Sequence, residues 1–516
     1  MKILTSMLKN NLAYVIFSFC FTFFLICSYM FSQLDGFQTG IRLFIVLLLS
    51  LLLTPVCSLL VIKLFDYNKN TLTCTGNEVI HKLFNSFFFY FVPLFIMHLP
   101  VFLAYYPGIY TFDVNVQVEQ YESFNFIQNH PLIHTLFLGF FNNLFETANS
   151  GYAIATIIQI LLVESCMAYA LKYMYKKTHS ILLCTLTLLF YGLFPVNSLL
   201  TISATKDILF SVCVLVFFID CFFFFDNHFS KPTDHIRFLA TGTFMILLRN
   251  NTIYAFIPTI LIILSIQIIR KQAWKKIALY SLAIIMLYTS INKCLVVTLD
   301  ANNGSIKEML SIPCQELARL YSVTDNERLK EEIKKYIPAP ENYNYYLSDA
   351  IKMQLDSDTF DSATKHFLLL AGICTVIYPL PCIDAIFYNT QGFWDIFHCP
   401  YQEEYSFVSS LKYRGEAVHE SKFPALCELY ETHFHTTKTF ADTPFVIFFN
   451  PGFYIWILLF FFTRGIHKKD TTLIYSCMFP ILYLCTLLLS PGAIMRYAFQ
   501  FVLIAPILFT TIYTKD

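Results

Sequence analysis

The residues best equipped for chemistry lie close together between Tyr105 and Thr135, in the stretch YYPGIYTFDVNVQVEQYESFNFIQNHPLIHT. Pro107-Gly108 breaks an apolar run, and Asp113, Gln117 and Gln120 follow at spacings of four and three. That spacing places the three on one face of a new short helix. Asn129, His130, Pro131 and His134 then open a second one. A carboxylate with imidazoles nearby serves as a general base with an assisting histidine, or as a metal ligand. No further acidic residue clusters with Asp113 at metal-ligand spacing, so no metal and no other cofactor is expected. The same residues also fit a polar interfacial loop whose side chains do no more than cap helices.

These groups have to be positioned by an unusually apolar chain. Of 516 residues, 56% are hydrophobic and 14% charged, with a mean hydropathy of +0.58 and 56 Phe against 15 Gly. Soluble domains carry about a quarter charged residues. Surface this aromatic is tolerated where helices face lipid, so the expected solvent is a bilayer. A net charge of zero points away from nucleic acid. The sixteen Cys lack metal-type spacing and mostly sit in apolar runs as small hydrophobes. Five fall in one large loop (Cys314, Cys374, Cys382, Cys399 and Cys427), where a non-cytoplasmic location would permit a disulfide. The first residues, MKILTSMLKN, lack a small-residue cleavage site and read as the start of a first helix.

Apolar runs of membrane length cover roughly residues 11–32, 41–65, 84–105, 151–173, 180–200, 205–225, 235–249, 252–269, 277–297, 443–463, 471–490 and 493–513. A span needs about 20 residues, so the run at 235–249 is short. With Lys2 and Lys9 in the cytoplasm, nearly every short basic connection falls inside, from Lys63/Lys69/Lys82 to Arg464/Lys468/Lys469 and Lys515. This requires residues 129–147 to lie along the outer surface as an amphipathic or re-entrant helix. The fold expected is an all-α integral membrane protein of about twelve transmembrane helices. A transmembrane body (1–298) carries the outer loop 106–150, a mostly helical outer subdomain covers 299–442, and C-terminal spans occupy 443–516. The apolar stretch 366–388, with Pro379 and Pro381, reads as a surface or buried helix of that subdomain.

The order P-G-x4-D-x3-Q followed by N-H-P-x2-H-T-x3-G resembles a bacterial family of multi-pass membrane proteins, itself similar to the GT-C superfamily of glycosyltransferases. Those enzymes move a sugar from a polyprenyl-phosphate donor to an acceptor on the outer face, using an acidic residue on the first long outer loop. The matching residue here is Asp113, and His130-Pro131 matches part of an H-P-P motif. ATKDILFS (204–211) resembles a K-D landmark, giving Lys206 and Asp207. LLRNNTIY (247–254) resembles an R-N-N segment, giving Arg249, Asn250 and Asn251. IPCQELAR (312–319), YIP (336–338), SDAIK (348–352), YNTQGFW (388–394) and the R-Y element of AIMRYAF (493–499) extend the resemblance over most of the chain.

The resemblance implies a GT-C-like fold and inverting transfer of a sugar to a cell-envelope acceptor. Asp113 would deprotonate or orient the acceptor hydroxyl, and Gln117, Gln120, His130 and His134 would shape the loop. Lys206, Arg249 and Arg496, near the outer ends of spans, would hold the donor phosphate, since charge developing on a leaving phosphate needs cations beside it. Snorkelling to the interface is the simpler role for such cations. A transporter or flippase of a lipid-linked precursor, or a non-catalytic assembly scaffold, would fit the same spans. The setting implied is a bacterial plasma membrane, with both termini cytoplasmic and the large loop extracytoplasmic. His433 and His435 form a lone pair of the kind that is more often structural. Tyr388, Phe393 and Trp394 suit core or interface packing better than sugar stacking. Residues 318–338 read as a solvated helix over the site, starting at Asn326 and stopping at Pro338.

Overall fold

A computed structural model describes residues 12–70, 78–110, 112–145, 147–272, 274–398, 411–412, 416–433 and 443–514. Lys2, Lys9, Cys399, His435 and Lys515 lie outside the described residues. Helices α1 (Leu12–Gln33) and α2 (Gly40–Asp66) form a hairpin, followed by α3 (Glu78–Phe84) and α4 (Phe88–Ala104). Two short helices, α5 (Phe112–Ser123) and α6 (Leu132–Asn143), precede α7 (Ala148–Thr178), α8 (Ile181–Leu193) and α9 (Pro195–Thr201). The body continues with α10 (Lys206–Phe225), α11 (Pro232–Leu248), α12 (Thr252–Ile269) and α13 (Trp274–Thr298). The large loop holds α14 (Ser311–Val323), α15 (Glu327–Tyr336), α16 (Asp349–Lys352), α17 (Ser357–Ile377), α18 (Pro379–Asn389), α19 (Gln391–Trp394) and α20 (Pro424–His433). The chain closes with α21 (Pro451–Lys468), α22 (Thr471–Leu487) and α23 (Met495–Leu508). Strands among the described residues are two-residue pieces, one pair being Lys69–Asn70 beside Tyr513–Thr514.

Among the described residues, seven helices are long and apolar enough to cross a membrane, and up to ten if each of three bent pairs counts as one span. The seven, with the bent pairs α3–α4 and α8–α9, coincide with nine of the expected runs. The other three expected runs fold as α11, α21 and α22, of 17, 18 and 17 residues, shorter or less apolar than the rest. The third bent pair lies in the large loop, where α17 and α18 meet at 106° after Pro379 enters the chain. Pro at the first helical position suits a new helix but cannot continue an old one. α2 shows the lipid-type surface clearly: Leu51, Leu52, Leu59 and Leu60 are exposed.

The centre of the body is α10, with sixteen of its twenty residues buried against α7, α11, α22 and α23. α10 and α11 run antiparallel, so Lys206 at the start of α10 and Arg249 just past the end of α11 share one end of the bundle. α11 starts with Pro232 at its first position and with the Asp234 carboxylate accepting from Lys231 N at 3.2 Å. It stops at Arg249, whose extended backbone (φ −148°, ψ 111°) starts the turn into α12. α6, within the stretch expected to lie along the surface, has only twelve residues, fewer than a span needs, and packs on α5 and α7.

The large loop has a core of its own, built from Leu317, Ile333, Tyr336, Ile351, Phe360 and Phe367 among others. Asn326 accepts from Leu329 N at 3.2 Å and starts α15 where expected. Its buried Ile333 and Tyr336 face this core, so α15 packs on α14 and α17. Tyr388 and Trp394 are buried too, Tyr388 donating to Asp35 and Trp394 Nε1 to Phe387 O. Cys314, Cys374, Cys382 and Cys427 are free, so none of these four takes part in the disulfide that an outer loop would permit. The buried Cys314, Cys374 and Cys382 pack as small apolar groups.

Candidate functional site

The backbone assembles the site. After the break at Pro107-Gly108, Ile109 N donates to Ile202 O at 3.0 Å and Ala204 N donates to Ile109 O at 2.9 Å. This short parallel bridge ties the start of the first loop to the segment that launches α10. Gly108, at φ +133°, packs where a Cβ would lie 2.5 Å from Thr156 Oγ1, so glycine is required there. A second bridge, Ile127 with Asn302, holds the end of the same loop to the chain after α13. Asn250 Nδ2 donates to Gln128 O at 2.9 Å and pulls the loop toward the α11–α12 turn.

These ties bring Asp113, His130 and Lys206 together. The Lys206 ammonium donates to Asp113 Oδ2 at 2.9 Å and to His130 Nδ1 at 3.1 Å. Lys206 beside Asp113 holds its carboxyl well below the usual carboxylate range, with Arg496 and His130 adding to the effect against burial. Burial and the Lys206 charge push His130 down to about 4. At neutral pH Asp113 is therefore a carboxylate and His130 a neutral imidazole.

The next residue, Asp207, turns the other way and is fully buried. Its Oδ1 accepts from Arg249 Nη1, and its Oδ2 lies 3.9 Å from Arg496 Nε. The two guanidinium groups flank the Tyr497 ring, at 4.6 Å for Arg249 and 5.1 Å for Arg496. Phe210 and Tyr483 lie on the Arg249 side, each 5.8 Å away. Stacking on aromatic faces fixes a guanidinium fork where an ammonium would move. Side-chain exposures are 33% for Asp113, 17% for Lys206, 11% for Arg249, 12% for Arg496 and 0% for Asp207. Among the described residues of this largely enclosed cluster, three cations face two carboxylates. An excess of cations in an enclosed place is chemically suited to holding an anion. At the rim, the half-exposed Glu308 adds a negative field on His130 and shares Lys352, at 2.8 Å, with Asp349, at 2.7 Å.

Of the expected site residues, Asp113, His130, Lys206, Arg249 and Arg496 come together. Gln117, Gln120 and His134 do not reach the cations. Gln117 accepts from His134 Nδ1 at 3.1 Å and donates to Thr135 Oγ1 at 3.1 Å, stitching α5 to α6. His134 is fully buried, and burial pushes it down to about 3. Gln120 Oε1 accepts from Ile127 N and shapes the loop that carries His130. Sequence reasoning noted Asp207 but gave it no role, and it passed over Tyr497 as a partner. The signal was available as a charged pair opening a run of apolar residues, since an acidic residue buried there demands a cation. Among the described residues no three His, Cys, Asp or Glu groups cluster as metal ligands would.

Two further polar pairs sit elsewhere. His98 and Glu164, both fully buried, join α4 to α7 at 3.2 Å. Arg237 grips the buried Asp220 with a fork of bonds between 2.7 and 3.0 Å, at the opposite end of α10 from Lys206.

Helices of membrane length around a buried cation cluster at one end of the bundle define a multi-pass membrane protein. The chain belongs to DUF6020, a family of unknown function whose model matches residues 120–516. The matched span includes Gln120, His130, His134, Lys206, Arg249 and Arg496 and begins after Asp113 and Gln117. No curated protein and no solved structure matches the chain.

Proposed function

We propose that the cluster is the donor site of a membrane glycosyltransferase, moving a sugar from a polyprenyl phosphate to a cell-envelope acceptor on the extracytoplasmic face. One observation carries the reading: an enclosed site at one end of the bundle holds three cations against two carboxylates among the described residues, and Asp113, at the start of α5, is the more accessible of the two. Arg249 and Arg496 hold the phosphate, Lys206 assists, and Asp113 orients the acceptor hydroxyl and takes its proton. The resemblance to GT-C enzymes in the order of motifs supports the same assignment. In this reading α11, α21 and α22 complete twelve spans, the termini are cytoplasmic, and the large loop caps the site from outside a bacterial plasma membrane.

The test is thermal stabilisation of the purified full-length protein in nanodiscs by polyprenyl phosphate. Stabilisation that is lost in Arg249→Ala and kept in Asp113→Asn supports the reading. Equal behaviour of parent and both variants with every lipid phosphate rejects it. A transporter of a lipid-linked precursor is the second reading, favoured by the fully buried His98–Glu164 pair between spanning helices. Lipid-phosphate flux across proteoliposomes that is abolished by His98→Leu would turn the assignment that way.

A further inference from the structure

The three cations of the cluster are not held alike. Arg249 and Arg496 share Asp207, a carboxylate with no exposed surface, and both flank Tyr497. Lys206 is held by Asp113, the more accessible carboxylate at 33% exposure, and by the neutral His130. An ammonium on a flexible stem can change partner at little cost, whereas a stacked guanidinium cannot. Asp113 is faced by Lys206 from α10, Arg496 from α23 and His130 from the loop before α6. His130 is faced in turn by Lys206, Asp113, Asp207 and Glu308.

Resting on the transferase reading above, we infer that Lys206 exchanges partners during the reaction, leaving Asp113 for the lipid phosphate as Asp113 receives the acceptor's proton. The acceptor oxygen forms a bond to the anomeric carbon, and the bond from that carbon to the phosphate oxygen breaks, its electron pair staying on the phosphate. The acceptor's proton passes to an Asp113 carboxylate oxygen. Charge then balances at both ends of the step. A sugar phosphodiester carries one negative charge, which meets the one positive charge left over among the described cations and carboxylates of the cluster. The phosphomonoester left behind carries between about 1.5 and 2 negative charges at neutral pH. Protonation of Asp113 leaves the site with one more positive charge, and that charge resides on Lys206. A diphosphate-linked donor exceeds the resting charge before any transfer, so the site selects monophosphate-linked donors.

The experiment compares the binding of polyprenyl monophosphate, polyprenyl diphosphate and a methyl polyprenyl phosphodiester to the full-length protein in nanodiscs. Parent, Asp113→Asn, Lys206→Met, the double variant and Arg249→Ala are measured by calorimetry. The buffer pH is about two units above the phosphate's second pKa of about 6, so the monoester starts as a dianion. Asp113→Asn imitates the protonated carboxyl and is expected to bind the monophosphate at least about tenfold more tightly than the parent. The gain should be smaller for the phosphodiester and absent when Lys206 is already Met. The parent should take up a proton on binding the monophosphate, read from heats in buffers of different ionisation enthalpy, and this uptake should vanish in Asp113→Asn. The uptake measurement on the parent needs no variant to fold. The diphosphate should bind the parent more weakly than the phosphodiester does. Arg249-dependent binding with no gain in Asp113→Asn, or a gain that survives in Lys206→Met, overturns the partner exchange and leaves the donor site standing. Binding that is absent, or indifferent to Arg249→Ala, overturns both.

Discussion

Asp207 carries the sharpest consequence for stability. Replacing it by Asn keeps shape and volume but removes the one carboxylate shared by Arg249 and Arg496. Breaking a buried ion pair by deleting one partner costs about 3–5 kcal/mol, because a charge stays behind in a poorly solvated place. Both arginines retain some exposure, 11% and 12%, so the lower end of that range, about 3 kcal/mol, is expected. The Tyr497, Phe210 and Tyr483 faces still contribute about 0.5–2 kcal/mol per contact and keep the variant folded. The assay is thermal unfolding at a fixed scan rate in nanodiscs, with and without polyprenyl phosphate. Asp207→Asn should melt well below the parent, and the lipid phosphate should raise its midpoint by more than it raises the parent's. At a hundredfold excess over Kd a ligand contributes about 2.7 kcal/mol, enough to recover most of the loss. A variant as stable as the parent, or one that the anion does not rescue, would refute the view that Asp207 neutralises the pair.

Other expectations follow from the same geometry. Gly108→Ala forces a Cβ against Thr156 at a φ of +133° and should cost about 1–3 kcal/mol in strain, seen as a lowered melting midpoint; an unchanged midpoint would contradict the packing. His130 titrates near 4 in the folded protein against about 6.5 unfolded, so the unfolded chain binds the extra proton between those values. Its contribution to stability is complete above about pH 6.5 and is lost as pH falls toward 4, and His130→Asn should flatten the melting profile over that window. Arg319, nearly fully buried, lies 3.4 Å from Asp35 and 3.6 Å from Asp384 and joins the large loop to the α1–α2 turn. Arg319→Met strands the buried Asp384 and should make residues 299–442 markedly more sensitive to limited proteolysis while the spans stay intact.

By itself the sequence determined the apolar, membrane-type character of the chain, nine of its candidate spans and the stretch that carries the candidate site. Long Phe- and Leu-rich runs with few charges have no other stable setting, and the Pro107-Gly108 break marked where the chain leaves the bundle. The spacing of Asp113, Gln117 and Gln120 correctly gave a short helix, and Asn326 correctly gave the start of α15. Which of those polar residues meet the cations was settled by tertiary structure. Gln117 and His134 spend their hydrogen bonds on each other because α6 lies across that face of α5, a docking that spacing along one helix cannot encode. The opposite fates of Lys206 and Asp207 are likewise a tertiary result. Neighbouring positions on a helix point about 100° apart, so one side chain turned to a loop 93 residues away and the other to the end of the next helix, 42 residues on. A residue's type announces that a buried charge needs a partner; only the packing of α10, α11 and α23 decides which partner comes within reach.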